Sequence, residues 1–188
     1  MKKADNVILF DLDNTLVDWD EQILKDMNSL RSENEPEIIS LPKGRLKNYL
    51  RKRMDFIMQN IQWWENLKIR QIGMDIWNLA GELEFERVIL TQGPRKNPKA
   101  WTGKKLWVDK NLGQDTKLII TRDKTLVDGA VLVDDWPLYI IPWLKEHPTR
   151  HIILPMHHHN TTFTNKQAIK YTGKNLSDIR NLFNSIKP

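Results

Sequence analysis

The sequence predicts an α/β fold: a doubly wound parallel sheet with a small helical insertion after the first strand. Two observations predict it. Short apolar runs, each followed by polar or acidic residues, alternate with helix-length segments over most of the 188 residues, as buried parallel strands and their crossovers do. One long stretch, 18–84, instead carries apolar residues at helical spacing.

The runs that read as strands are Val7–Phe10, Val88–Leu90, Leu118–Ile120, Ala130–Val133 and His151–Leu154. The insertion's helices follow from three apolar series: Trp19, Ile23, Leu24, Met27 and Leu30; Leu46, Leu50, Ile57 and Ile61; Leu67, Ile72, Ile76 and Leu79. Pro36 and Pro42 punctuate the first gap, where Glu37–Leu41 is a weak strand candidate. Leu176, Ile179, Leu182, Phe183 and Ile186 form a last helix expected to pack on the sheet. The expected division is therefore a core of 1–17 and 85–188, with 18–84 as a helical cap.

Composition narrows the function. No apolar run approaches the roughly 20 residues of a bilayer span, so no membrane partner is expected. The start, Met1 to Asp5, leads straight into a strand-like run rather than a signal-peptide apolar region. With no cysteine, disulfides and thiolate metal sites are excluded, and a reducing cytoplasm is a compatible setting. A net charge of +5 leans toward anionic partners. The basic stretch Lys43–Arg53 reads as the solvated face of a helix before it reads as a nucleic-acid stripe. Eight tryptophans are many for this length; Trp101, Trp107, Trp136 and Trp143 are expected to pack, and a few of the others could offer flat faces to a base.

Ligands of doubly wound sheets bind beyond the carboxyl ends of the strands, and four successive strand ends carry chemistry. The first gives Asp11-Leu12-Asp13-Asn14-Thr15, two carboxylates that are costly unless they meet a cation or a proton. The second gives Thr91-Gln92-Gly93, a hydroxyl and turn amides for a phosphate oxygen. The third gives Thr121-Arg122-Asp123-Lys124, with two cations, and the fourth Asp134-Asp135, which can complete a hard-cation site. Acid, hydroxyl, cation and acid together make a phosphoryl-transfer site, with Asp11 attacking in line. The tract His157-His158-His159 reads as an exposed or substrate-edge loop. On an extended chain successive side chains alternate sides and could not share one ion.

These motifs, in this order, resemble those of the haloacid dehalogenase superfamily: Asp-x-Asp-x-Thr/Val, a Ser/Thr, a Lys and a terminal acidic pair. Within it the chain is most similar to the 5'(3')-deoxyribonucleotidases. The likeness rests on Ile120 to Thr125 with Asp134-Asp135 following, on Leu90-Thr91 through Lys104 to Trp107-Val108, on Asp18-Trp19 and on Trp63-Trp64. It departs from that family at Asn14, often glycine there, at Gln92, often serine, and at Trp136-Pro137. The resemblance implies a Rossmann-like core and a Mg²⁺-dependent phosphatase acting on nucleoside monophosphates. Asp11 would be nucleophile and Asp13 general acid, then base. Thr91, Gln92, Lys104, Arg122 and Lys124 would hold phosphate, and Trp19, Trp63 and Trp64 the base. Asp11, Asp13 (through its carbonyl), Asp134 and Asp135 would hold the metal. A 3'-phosphatase of nucleic-acid ends and a non-catalytic nucleotide-binding protein are the rival readings; nucleic acid is the less favoured partner, and homodimerisation is left open.

Overall fold

The computed structural model describes residues 3–41 and 46–187. Six parallel strands form one sheet: β1 (Val7–Phe10), β2 (Glu86–Gln92), β3 (Lys117–Thr121), β4 (Val131–Val133), β5 (His151–Pro155) and β6 (Ala168–Tyr171). Their order is β3-β2-β1-β4-β5-β6. The five strands expected from apolar runs are all present. The sixth, Ala-Ile-Lys-Tyr, escapes the pattern because it is a sheet-edge strand of four residues. Edge strands face solvent and tolerate a lysine that a central strand would not.

The helices are α1 (Trp19–Ser29), α2 (Asn48–Met58), α3 (Ile61–Glu65), α4 (Gln71–Glu82), α5 (Pro98–Leu112), α6 (Pro137–Glu146) and α7 (Leu176–Ile186). The series Leu46 to Ile61 is not one helix. Asn60 breaks it, its side chain accepting from the Gln62 backbone N–H at 2.9 Å and so capping α3. Glu37–Leu41 forms no strand. The Asn28 side chain takes both the N–H and the C=O of Ile38, each at 2.9 Å, so neither group is left for a ladder.

By its internal contacts the chain divides into two units: 1–17, 69–92 and 115–188 in the first, 18–68 and 93–114 in the second. Thus α4 groups with the sheet and α5 with the helices. In the sheet unit one core gathers Val7, Leu9, Val88, Leu90, Leu132, Ile152 and Leu154 against Ile140, Trp143 and Leu144 of α6. On α4, Trp77 meets Phe10 edge-on at 5.0 Å, and Phe183 of α7 packs on Phe85 at 5.2 Å. Burying each such side chain contributes roughly 1.5–3 kcal/mol, so both faces of β1 and β2 are covered, as an all-parallel sheet requires.

The helical unit has its own small core of Ile23, Met27 and Ile57, with Leu50, Met54 and Trp63 packed on it. Trp107 is fully buried there and donates to the Leu67 carbonyl at 2.8 Å. Of the basic stretch, Lys47, Arg51 and Lys52 are exposed and Arg53 pairs with Glu35 at 2.6 Å. Lys43 to Arg45, like Pro42, lie outside the described residues.

Candidate active site

The strand order sets the site. β1 has β2 on one side and β4 on the other, so the connections leave in opposite directions and open a crevice at its carboxyl end. Phe10 pairs with Val133 across β1 and β4, which brings the next residues, Asp11 and Asp134, side by side. The Asp11 N–H donates to the Val133 carbonyl at 2.9 Å, holding that register one residue beyond the strand.

Beyond Asp11 the chain folds tightly on itself. Leu12 accepts from the N–H groups of Thr15, Leu16 and Val17 at 3.2, 2.9 and 3.0 Å. Asn14 takes the left-handed conformation this turn needs, with φ of 57°; asparagine is among the few side chains that tolerate it. Helix α4 seals the turn from behind. The backbone of Gly73 lies so near that a Cβ would sit 1.9 Å from the Thr15 carbonyl oxygen.

Lys124 stands at the centre. It follows β3 in a one-turn 3-10 helix, Lys124–Leu126, which Asp123 caps by accepting from the Thr125 N–H at 3.0 Å. Its ammonium donates to Asp11 Oδ1 and to Asp134 Oδ2, each at 2.6 Å, with all three residues buried. Burial works against that charge, but the two carboxylates outweigh it and hold Lys124 above the ordinary lysine range. Burial, with Asp11 and Asp135 nearby, pushes Asp134 up to about 7 despite the pull of Lys124. Burial likewise raises Asp135, against the lowering effect of His159.

Asp135 is gripped from several sides. Thr15 Oγ1 donates to its Oδ1 at 3.2 Å, and His159 Nε2 lies 2.8 Å from its Oδ2. The buried Asn160 amide donates to its carbonyl at 2.9 Å. The Trp136 N–H donates to Asp134 Oδ1 at 2.9 Å. Oxygen atoms of Asp11, Asp134 and Asp135 all lie within 4.8 Å of one another. Three buried carboxylates around one lysine leave excess negative charge, and a hard divalent cation with oxygen ligands fits that donor set.

The other expected residues are placed as follows. Thr91 is fully buried in β2 near its carboxyl end. Gln92 ends that strand, accepts from the Tyr139 hydroxyl and donates to the Arg122 carbonyl at 3.3 Å. Arg122 is exposed. Asp13 is half-buried and bridges to Val17 within the turn. Lys104, Trp19, Trp63 and Trp64 belong to the helical unit. There Lys104 is buried with its ammonium 5.5 Å from the Trp64 ring centre, and Trp63 meets Trp19 and Trp64 edge-on. Trp64 is 3% exposed.

Tyr139 and Asn160 carry no sequence signal, and His159 is marked in the sequence only as part of the histidine tract. Tyr139 places its ring 4.7 Å from the Lys124 ammonium, and burial first, then Asp11, pushes its hydroxyl up to about 12. His159 and Asn160 reach Asp135 only because the chain turns after β5. The histidine tract is therefore not an extended loop: residues 158–160 form a turn that gathers the rings, with only His158 exposed. Trp136, expected to pack, is 36% exposed and rests edge-on against His159 at 4.4 Å.

No protein-family model matches the chain. Over 52 residues it is 50% identical to a Bordetella pertussis protein named "Putative 5'(3')-deoxyribonucleotidase", a match covering 27% of each chain. The chain thus spans about a quarter of that relative's length, and a Bordetella parapertussis protein of the same name matches over the same share at 48% identity. A third protein of that name, from Vibrio phage KVP40, is 29% identical over 137 residues, covering 71% of this chain and 69% of the phage protein. Among solved structures, a "putative haloacid dehalogenase-like hydrolase" of Burkholderia xenovorans superposes with a TM-score of 0.53 at 17% identity. That superposition covers 96% of this chain and 97% of the other. The chain has the fold of the haloacid dehalogenase-like hydrolases and is similar in sequence to proteins named as deoxyribonucleotidases.

Proposed function

We propose that the protein is a Mg²⁺-dependent phosphatase of nucleoside monophosphates, working through a phosphoryl group carried on Asp11. The observation that carries this reading is the Asp11–Lys124–Asp134 bridge at adjoining strand ends, with Asp135 beside it. Three buried carboxylates in one crevice cost the fold stability and have a use where a dianionic substrate and a cation must meet.

Asp11, Asp134, Asp135 and the Asp13 carbonyl would hold Mg²⁺, which when bound offsets the charge of the transferring phosphoryl group. Lys124 neutralises Asp11 against that anion and, with Thr91, orients it. An Asp11 carboxylate oxygen attacks phosphorus while the ester P–O bond breaks, and Asp13 gives its proton to the departing alcohol oxygen. Asp13 then takes a proton from water as that water attacks phosphorus. The P–O bond to Asp11 breaks, inorganic phosphate leaves and the Asp11 carboxylate is restored.

The names of the Bordetella and phage relatives favour a deoxyribonucleotide substrate. The same reading gives Lys104, Arg122 and Gln92 to the phosphate and Trp19, Trp63 and Trp64 to the base. Stacking on an aromatic contributes roughly 1–3 kcal/mol per base and accepts any base, so it would bind nucleotides without choosing among them.

The test is phosphate release in Mg²⁺ by the wild type and Asp11→Asn. The panel is 5'- and 3'-monophosphates of ribo- and deoxyribonucleosides, with one 3'-phosphorylated oligonucleotide. Release from the deoxyribonucleoside monophosphates that Asp11→Asn abolishes is the expected result. Release from the oligonucleotide alone would move the function to end-processing, and substantial activity in Asp11→Asn would defeat the mechanism.

A further inference from the structure

We propose that the turn at 157–159 is a transition-metal site of the zinc class, formed by His157, His158 and His159 and separate from the carboxylate site. Three consecutive imidazoles share a site only if the backbone departs from the extended form, and here it does. The Asn160 N–H donates to the His157 carbonyl at 3.1 Å, and the His157 N–H donates to Asn160 Oδ1 at 3.0 Å. The Asn160 amide is itself tied to the carbonyls of Pro155 and Asp135, at 3.0 and 2.9 Å, and the residue is fully buried. A rigid anchor thus closes the turn. The three rings lie 4.3, 4.3 and 5.3 Å apart by their centres, and one nitrogen of each is within 4.8 Å of the others.

The tautomers favour a metal between them. His159 Nε2 faces two oxygens of Asp135, Oδ2 at 2.8 Å and the backbone carbonyl at 3.1 Å. A carbonyl can only accept, so Nε2 carries the proton and the Nδ1 lone pair points away from Asp135. That Nδ1 meets the Nδ1 of His157 at 2.7 Å, where a single proton is shared. An ion can replace this proton. Bonds of about 2.0–2.1 Å in tetrahedral array set nitrogens about 3.3 Å apart, so the pair opens by less than about 1 Å. A carboxylate that holds one imidazole N–H while the other nitrogen binds metal is the usual outer arrangement of zinc-type sites.

The ion's class follows from the donors. Imidazole nitrogens suit Zn²⁺, Ni²⁺ or Cu²⁺, whereas Mg²⁺ prefers the oxygens of the carboxylate cluster. Arg70 lies near enough to His157 for its charge to be felt there. The field of Arg70 opposes any added cation, and the buried Asp135 carboxylate on His159 offsets it.

The test uses the full chain, stripped with chelator and titrated with Zn²⁺ by calorimetry in excess Mg²⁺. Co²⁺ in its place gives visible absorption bands that report nitrogen ligation. The expected result is one Zn²⁺ equivalent that Mg²⁺ does not displace and that Asp11→Asn retains. His157→Ala and the exposed His158→Gln should each weaken it by more than about tenfold, the scale on which even outer partners of metal ligands act. Circular dichroism checks that both variants fold. Absence of binding, displacement by Mg²⁺, or unchanged affinity in either variant overturns the proposal. No turnover is measured, so the outcome is independent of the phosphatase reading.

Discussion

Gly73→Ala should destabilise the protein although alanine is the better helix former. Gly73 lies on the α4 face that abuts the turn after Asp11. An added Cβ would come within 1.9 Å of the Thr15 carbonyl oxygen, 2.7 Å of its carbon and 3.2 Å of Leu16 Cδ2. The first two are backbone atoms of a turn tied by three hydrogen bonds to Leu12, so relief requires moving either the helix or the turn. Overpacking of this kind costs about 1–3 kcal/mol, and the backbone clash puts it at the upper end. Alanine returns about 1 kcal/mol of helix propensity, leaving a net loss of about 2 kcal/mol. In a chain of this length that lowers the thermal midpoint by about 4–8 °C. Gly81, on the same helix, is the control. Its added Cβ would meet only the guanidinium end of Arg87, at 2.7 Å, which can swing aside. Gly81→Ala should therefore be neutral or slightly stabilising. Thermal unfolding of the two variants, followed by circular dichroism beside the wild type, decides the matter. A Gly73→Ala protein as stable as Gly81→Ala would refute the close-packing argument.

Lys124→Met should cost about 3–5 kcal/mol in chelator, since it strands Asp11 and Asp134 without their shared cation; a loss under about 1 kcal/mol in denaturant melts would contradict the bridge. Added Mg²⁺ should raise the melting midpoint of that variant more than that of the wild type, and an equal rise would count against a cation at the carboxylates. The acid limb tests Arg150, which donates to Asp128 at 2.9 and 2.8 Å. Burial pushes Asp128 up, but Arg150 holds it below its ordinary 3.8, so this stabilisation is present above 3.8 and lost as pH falls through the depressed folded value. The gap in stability between wild type and Arg150→Met should therefore be widest above about pH 4 and close toward acid; a gap that widens toward acid would reverse the sign. Trp19→Ala should weaken turnover of a nucleoside monophosphate more than of a small aryl phosphate, and equal losses would make Trp19 a packing residue.

The candidate crevice is legible because burial and charge conflict in plain view. An acid at the end of Val7–Phe10 and a pair after Ala130–Val133 are improbable neighbours of apolar runs unless they share a task. Less visible was anything that depends on which way the chain turns afterwards. The alternation rule that set the three histidines apart holds for extended backbone, and Asn160 removes that premise. Tyr139 sits in the first turn of α6, where a tyrosine reads as ordinary packing. The helical series also blurred where one helix ended. Leu46 to Ile61 keeps its period across Gln59-Asn60, and only the cap donated to Asn60 separates α2 from α3. Sequence nearness says little about grouping either: α4 follows directly on three helices yet packs with the sheet, while α5 joins those helices across the whole of β2.

That last arrangement governs how the molecule can be made. Each unit is assembled from separated lengths of chain, the helical one from 18–68 and 93–114. On the ribosome α1, α2 and α3 emerge well before α5, whose Asn97 supplies a donor to the Met58 carbonyl at 2.7 Å and whose Trp107 supplies one to Leu67. Until about residue 114 has cleared the exit, the Leu67 carbonyl and the Trp64 ring wait for partners not yet translated, and the Met58 carbonyl has the Trp64 indole N–H at 2.9 Å in place of its second donor. No single cut yields either unit as an intact fragment, so dissection by truncation would remove pieces of both, and a circularly permuted or split gene would have to respect all four crossings between them.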